Sequence, residues 1–279
     1  MATKDSQRLQ LIGVVHAGAL PGAPRFAAGK LATTQSAAPL EHVLAVAAAD
    51  AEDLVRGGCD ALIVENFGDA PFWKDAVPSE TIAALALVID AVQRVVKDRV
   101  PIGVNVLRND ARAALGLCAA TGASFVRVNV HVGAAVTDQG VIEGRAAETL
   151  RERARLCPNA AIWADVHVKH ATPLGRETIA ESALDIAHRG LADVLIVTGA
   201  ATGSAPDPSR IEQVRAALPE AIICVGSGVT EANAALLLAR ADGAIVGTAL
   251  KQGGRVGARV ELERVQRMRR AFDAVRVER

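Results

Sequence analysis

Aromatic side chains are scarce in this sequence, and tyrosine is missing. Aromatic residues make up 3% of the 279 residues. Proteins that bind single-stranded nucleic acid stack the bases on aromatic rings, and nucleic-acid-binding domains usually carry an excess of basic residues. Here 31 Lys and Arg residues balance 31 Asp and Glu residues, so the formal net charge is zero. Both observations argue against a nucleic-acid partner.

Cysteines are also few, and none of the four lies in a C-x-x-C pair. This spacing does not support a zinc ribbon or a thioredoxin-like motif. No apolar run approaches the roughly 18 residues of a membrane span. The polar tail, residues 1–9, lacks the apolar core of a signal peptide. We therefore expect a cytoplasmic protein without a membrane span.

Short runs rich in Val and Ile alternate with helical patterns along the whole sequence. Apolar spacings of three and four residues, as in 40–54 and 82–96, predict amphipathic helices. Pro208 after a capping Asp207 predicts the start of another helix. Eight runs predict strands: Leu11–His16, Cys59–Glu65, Val100–Leu107, Ser124–His131, Ala160–Lys169, Ala192–Thr198, Ala221–Gly226 and Asp242–Gly247. Eight βα units predict either a closed barrel or a doubly wound open sheet.

The fourth and fifth strands favour the barrel, because they alternate valines with polar residues. In the fourth strand Val126 and Val128 share one face, while Arg127, Asn129 and His131 share the other. An open sheet would bury continuous apolar runs. In a barrel the valines pack on the helices and the polar face points inward. The fifth strand repeats the pattern with Asp165, His167 and Lys169. We predict one (β/α)8 TIM barrel domain spanning residues 1–279.

Functional sites of such barrels lie at the C-terminal ends of the strands and in the loops that follow. The catalytic candidates at these positions are Asp165, His167, Glu65, Lys169 and His131. The candidates for binding substrate are His16, Asn66, Asn105, Arg127, Asn129 and Thr198. A small-residue loop, GAATGSAP, follows the sixth strand.

Several of these residues have alternative interpretations. Arg127 and Asp165 form a structural ion pair, or Arg127 lowers the pKa of Asp165 for use as a base or metal ligand. Lys169 binds an anion or forms a Schiff base. His167 is a general acid–base or a hydrogen-bonded core histidine. Glu65, Asp165 and His167 are also candidates for holding a divalent metal such as Mg, Mn or Zn.

Two glycine turns predict a phosphate site. Gly226-Ser227-Gly228 follows the seventh strand and precedes a helix expected to start near Thr230, and Gly247-Thr248 follows the eighth strand. Backbone N–H groups of such turns bind anions, and barrels often place a phosphate at these two positions. The alternative is that the glycines only make tight turns. The loop at 133–144 is long enough to act as a lid or an oligomer contact.

The segments IGVVHAGALPGAP, DALIVENFGDAPF and ADVHVKHA resemble the BtpA family, which also contains the SgcQ proteins. The similarity runs from about Ile12 to Lys251. The resemblance implies a TIM barrel akin to the ribulose-phosphate-binding barrels. The family name comes from a role in accumulating photosystem I in cyanobacteria, and SgcQ-type members are associated with sugar metabolism genes. The resemblance carries over no catalytic residues.

Two functions follow as hypotheses. The first is an enzyme acting on a phosphorylated sugar or nucleotide-like small molecule by isomerisation, aldol-type cleavage or glycosidic-bond cleavage. The alternative is a non-catalytic assembly or stability factor, which in phototrophs would serve photosystem I. The convergent polar residues favour the enzyme, since an assembly factor has no evident need for them. We also expect a homo-oligomer.

Overall fold

Eight parallel strands close into a barrel in the computed structural model, which describes residues 10–26, 39–175, 177–199 and 205–275. The barrel strands are β1 (Gln10–His16), β2 (Ala61–Glu65), β3 (Ile102–Asn105), β4 (Phe125–Val128), β7 (Ala161–Val166), β9 (Val194–Val197), β10 (Ile222–Val225) and β11 (Gly243–Val246). Strand β1 pairs with both β2 and β11, so the sheet is closed. The predicted barrel is therefore confirmed over the open sheet.

Helices surround the barrel, and their ends follow local sequence signals. They are α1 (Pro39–Arg56), α2 (Ser79–Val96), α3 (Ala111–Thr121), α4 (Ala146–Leu156), α5 (Ile179–His188), α6 (Pro208–Ala217), α7 (Ala234–Leu238) and α8 (Leu262–Asp273). As predicted, Pro208 opens α6 and the Asp207 carboxylate accepts from the Ser209 N–H. Within the described ranges, none of these helices is long and apolar enough to cross a membrane.

The inner faces of the strands change from apolar to polar along the barrel axis. The apolar layer contains Ile12, Val14, Ala61, Ile63, Phe125, Val194, Ile196, Cys224 and Ile245. The Phe125 ring stacks on Trp163 with centroids 4.2 Å apart. Gly103 is required beside them, because a Cβ there would lie 2.1 Å from the Phe125 ring. The other faces of the strands pack on the helices in the main core, which includes Val126 and Val128.

Two residues further along each strand, the side chain again points into the barrel, because strand side chains repeat with period two. At these positions the residues are polar or glycine. These positions are His16, Glu65, Asn105, Arg127, Asp165, Thr198, Gly226 and Gly247. The polar end is the C-terminal end of the strands, where the sequence predicts the site.

A small antiparallel sheet lies outside the barrel. It consists of β5 (Ala134–Thr137), β6 (Gly140–Glu143) and β8 (Ala171–Pro173), in the order β6-β5-β8. The segment predicted as a long loop at 133–144 is thus mostly a hairpin. The Thr137 hydroxyl donates to the Gly140 carbonyl across its turn, and Ile142 packs with Ala135 in a separate apolar cluster. This pairing ties the segment to β8.

Candidate active site

A cavity of about 460 Å³ opens at the C-terminal ends of the barrel strands. Charged and imidazole side chains line it, together with the backbone of two glycine turns. The side chains are those of His16, Glu65, Arg127, Lys169 and Arg264, and the turns are 226–228 and 247–249. The two turns and the inward polar rows therefore face one space.

Arg127 joins two carboxylates beside this cavity. Its Nε and Nη2 donate to the two oxygens of Asp165, both at 2.9 Å. Its Nη1 donates to Oε1 of Glu65 at 3.4 Å. All three residues are buried. A fork-shaped guanidinium suits this bidentate pairing, and a buried carboxylate without a partner would be costly.

Two asparagines complete the network. Asn105 Nδ2 donates to Oε1 of Glu65 at 2.9 Å, and Asn129 Nδ2 donates to Oδ2 of Asp165 at 3.0 Å. Both oxygens of Asp165 are thus occupied, and its side chain is fully buried. Among the described residues, Oε2 of Glu65 has only a longer contact, at 3.9 Å from His16 Nε2. Glu65 is therefore the carboxylate with an oxygen available to a ligand.

Opposing effects set the charges in this network. Burial raises the pKa of Glu65, but the charges of Arg127 and its neighbours outweigh burial and hold the pKa below its usual value. Burial lowers the pKa of Arg127, and the two carboxylates reverse this and raise it. Glu65 is therefore an ionised carboxylate, and Arg127 is a permanent cation.

His16 is a neutral imidazole beside Glu65. Burial lowers its pKa to about 3, and the charge of Glu65 only partly opposes that effect. Its ring lies 4.6 Å from the ring of Phe67, centroid to centroid. A Cβ at position 247 would lie 2.8 Å from His16 Cε1, so Gly247, in the turn after β11, makes room for this ring.

Lys169 reaches the same cavity from the segment after β7. Its backbone is held by Arg108, whose Nη2 donates to the Lys169 carbonyl at 2.7 Å. Burial lowers the pKa of Lys169, and the nearby charge of Arg127 lowers it further, against the opposing carboxylates. The structure thus places Lys169 in the lining of the same cavity as Glu65 and His16.

The glycine turns have physical reasons for their sequence. A Cβ at Gly226 would lie 2.3 Å from Thr198 Cγ2, and Gly228 has a φ of +72°, which L side chains rarely adopt. The helix expected near Thr230 starts later, at Ala234, and this prediction was wrong. The Asn233 side chain bonds the Thr230 N–H and the Gly228 carbonyl, so these residues form a turn instead.

Sequence reasoning missed Arg264. This residue lies on α8, and its side chain lines the cavity together with the two glycine turns. Its Nε donates to Glu261 and its Nη1 to the Ala249 carbonyl, at 3.0 and 3.3 Å. Nothing in the sequence separates it from the other arginines of this helix. Its position beside the turn at 247–249 follows only from the packing of α8.

Two predicted histidines lie away from this cavity. The expectation that His167 and His131 share the inward face of their strands is wrong. Strand β7 ends at Val166, and a φ of +57° turns His167 toward α5, where its Nε2 lies 2.8 Å from Ser182 Oγ. Strand β4 ends at Val128, and His131 Nε2 lies 2.8 Å from the Gly190 carbonyl.

Asn66 and Thr198 hold neighbouring backbone in place. Asn66 Oδ1 accepts from the Leu107 N–H at 2.7 Å, and its Nδ2 donates to Asp69. The Thr198 hydroxyl donates to the His167 carbonyl at 3.1 Å. Most of the GAATGSAP loop lies outside the described residues.

The three candidate metal ligands do not fit a metal ion. Arg127 lies between Glu65 and Asp165, and His167 points to a different element. In the parts of the chain that the structure describes, no group of three or more His, Cys, Asp or Glu residues is placed to hold a metal.

The fold and the site define a TIM barrel with a polar cavity and two glycine turns at the C-terminal ends of its strands. A model of the BtpA family matches residues 7–274, and the chain belongs to this family. The Photosystem I biogenesis protein BtpA of Synechocystis is 42% identical, covering 91% of this chain and 85% of the relative. An uncharacterized protein of Pyrococcus abyssi is 41% identical, covering 96% and 97%.

Solved structures of TIM-barrel enzymes share the fold at low identity. Phosphoribosyl anthranilate isomerase from Thermus thermophilus has a TM-score of 0.55 at 13% identity, covering 96% of this chain and 100% of the other. Geranylgeranylglyceryl phosphate synthase from Thermoplasma acidophilum, in complex with its substrate sn-glycerol-1-phosphate, has 0.55 at 14%, covering 96% and 94%. Orotidine 5'-phosphate decarboxylase from Pyrococcus horikoshii has 0.52 at 17%, covering 95% and 100%.

Proposed function

We propose that this protein is an enzyme acting on a phosphorylated sugar or nucleotide-like small molecule. One observation carries the proposal: the two glycine turns and the side chains of Glu65 and Lys169 border a single cavity. A phosphate on the turns would hold the rest of a small substrate beside those two side chains. The structural neighbours support this class, since their names refer to phosphorylated compounds.

Each part of the cavity has a role in this proposal. The backbone at Gly226, Ser227, Gly228, Gly247 and Thr248 binds the phosphate. Glu65 removes a proton through its available oxygen, and Lys169 supplies positive charge where negative charge develops. Asp165, which the sequence suggests as catalytic, is proposed instead as a positioning residue for Arg127, because both of its oxygens are occupied.

Such an arrangement suits isomerisation or aldol-type cleavage, which both need a proton acceptor and stabilisation of negative charge. In cleavage of a glycosidic bond, Glu65 would instead activate water or stabilise the positive charge that develops on the sugar. His131 and His167 have no assigned step, since they lie on other elements. A divalent metal is not needed for the steps proposed. A homo-oligomer and a cytoplasmic location stay predictions.

The test is thermal stability across a panel of sugar phosphates, nucleotides and inorganic phosphate. A ligand at 100 times its Kd contributes about 2.7 kcal/mol to the free energy of unfolding, enough to raise the melting temperature measurably. Gly228→Leu should abolish the shift. Gly122→Leu is the matched control, because Gly122 has a similar φ of +77° at the end of α3, away from the cavity. An equal shift in both variants would refute the phosphate site.

A second candidate function is assembly or stabilisation of photosystem I, supported by the name of the Synechocystis relative. This function requires a protein partner, which affinity capture from a phototrophic host would recover. Capture of photosystem subunits by the Gly228→Leu variant as well as by the native chain would favour it over the enzyme.

A further inference from the structure

Lysine is rare in this chain, and one of its few lysines lines the cavity. The sequence has six lysines, against many more arginines: Lys4, Lys30, Lys74, Lys97, Lys169 and Lys251. Lys74 and Lys97 are exposed, and Lys251 Nζ donates to the Val256 carbonyl at 2.7 Å. Lys169 differs from these three, because it lines the cavity beside Glu65 and the glycine turns.

The amine of Lys169 is available for chemistry. Arg127 takes both oxygens of Asp165 and one of Glu65. Among the described residues, the Lys169 ammonium has no ion pair within 4.0 Å and no hydrogen bond to a neighbouring group. An arginine in place of the lysine would supply the same charge, and its planar guanidinium would donate two hydrogen bonds to a phosphate at once. The choice of a primary amine at this point therefore indicates a use other than charge alone.

The backbone around Lys169 is fixed on both sides. Arg108 donates to the Lys169 carbonyl, and Thr198 donates to the carbonyl of His167. His167 and His170 both have positive φ, at +57° and +55°. Residues that follow β3 and β9 thus hold this segment, which itself follows β7. Burial lowers the pKa of the Lys169 amine, and the charges of Arg127 and Arg108 lower it further against the opposing carboxylates, so a larger fraction of the amine is nucleophilic.

We propose that Lys169 forms a covalent imine with a carbonyl carbon of the phosphorylated substrate. This inference deepens the proposed function and rests on it, because the phosphate on the glycine turns holds the carbonyl beside the amine. It restricts the substrate class to phosphorylated aldehydes and ketones, including sugar phosphates in their open-chain form. It also favours isomerisation or aldol-type cleavage over cleavage of a glycosidic bond.

The step balances with the groups present. The Lys169 ammonium gives one proton, through a water molecule in the cavity, to Oε2 of Glu65, and its nitrogen lone pair forms a bond to the carbonyl carbon. The carbonyl oxygen takes a second proton from the nitrogen and becomes a hydroxyl. Glu65 returns its proton to that hydroxyl, the C–O bond breaks, and water leaves with formation of the protonated C=N bond. The cationic imine then accepts electrons from an adjacent C–H or C–C bond, and hydrolysis restores the amine.

The experiment is reductive trapping of the full chain with glyceraldehyde 3-phosphate and cyanoborohydride, followed by peptide mass spectrometry. We expect Lys169 to be modified at least about tenfold faster than the exposed Lys74 and Lys97, because binding aligns the reacting atoms. Inorganic phosphate should compete, and glyceraldehyde without its phosphate should show no preference for Lys169. Modification of Lys169 no faster than of Lys74 would overturn the proposal.

Lys169→Arg separates a covalent role from an electrostatic one. It keeps the positive charge, so stabilisation by inorganic phosphate should persist, while trapping at position 169 is lost together with turnover. Full turnover in Lys169→Arg would overturn the imine and leave the proposed function standing. If inorganic phosphate neither stabilises the native chain nor competes with trapping, the proposed function fails instead.

Discussion

The guanidinium of Arg127 lies between two carboxylates at the polar end of the barrel interior. It makes two charge-assisted bonds to Asp165 and one to Glu65, and the two asparagines bind the same carboxylates. Burying such a network costs desolvation free energy, but removing one of its charged groups destabilises the fold more, because it leaves a buried charge without a partner. It fixes the direction of the Glu65 carboxylate, which is the one with an oxygen left for a ligand.

Replacing Arg127 by Met should therefore destabilise the protein strongly. Removal of one partner leaves two buried carboxylates without a counter-charge, and losses of about 3–5 kcal/mol are typical of such changes. Chemical denaturation would measure the free energy of unfolding. Arg94→Met is the control, because Arg94 pairs with Asp90 on the exposed face of α2 and should change little. Equal losses in the two variants would contradict the role given to the network.

His16 should make stability depend on pH. Its pKa is lowered to about 3 in the folded state, chiefly by burial, from an ordinary value of 6.5. Below pH 6.5 the unfolded chain takes up a proton at this residue and the folded chain does not, so acid favours unfolding. Between pH about 8 and about 5 this residue alone should cost about 2 kcal/mol of stability.

The check is the free energy of unfolding of the native chain and of His16→Gln across this range. The variant should lose less stability than the native chain as the pH falls, whatever its stability at pH 8. His131, whose pKa is also lowered by burial, is common to both proteins and cancels in the comparison. Parallel pH profiles would show that His16 is not held neutral in the folded protein.

Among the elements, α8 contributes to the site in a way that its sequence does not reveal. Arg264 lines the cavity from this helix, whereas Arg270 on the same helix is exposed. A hydrogen bond to a charged group is worth about 1.5–3 kcal/mol, so Arg264→Gln should weaken phosphate binding by roughly tenfold or more. Calorimetric titration would measure the Kd. Arg270→Gln removes the same charge and should leave the Kd unchanged, and equal weakening would indicate only a general effect of net charge.

The elements also show what the sequence could predict. Period-two alternation in β4 identified Arg127 as inward, and Asp207-Pro208 marked the start of α6. The same alternation failed at His167, because it assumes extended backbone and cannot reveal a positive φ. Arg264 was missed for another reason: it reaches the cavity from a distant helix. Local patterns predict strands and caps, while contacts between distant elements depend on tertiary packing.

In the whole molecule, the first barrel strand, β1, pairs with the last, β11, and closes the barrel. The stability of each of these two strands therefore depends on the other. The expectation of one domain over residues 1–279 stays a prediction. It requires one cooperative unfolding transition, with the same midpoint by circular dichroism and by the fluorescence of Trp163 in a Trp73→Phe background. Two separated transitions would indicate that part of the chain unfolds independently.

The proposed function depends on the binding of phosphate by the two glycine turns. The most direct measurement is the amide spectrum of the ¹⁵N-labelled protein during titration with inorganic phosphate. We expect saturable shifts of the amide signals of Gly228, Gly247 and Thr248, with little change at Gly122. Shifts confined to other parts of the chain, or no saturable shift, would contradict the claim and with it the proposed class of substrate.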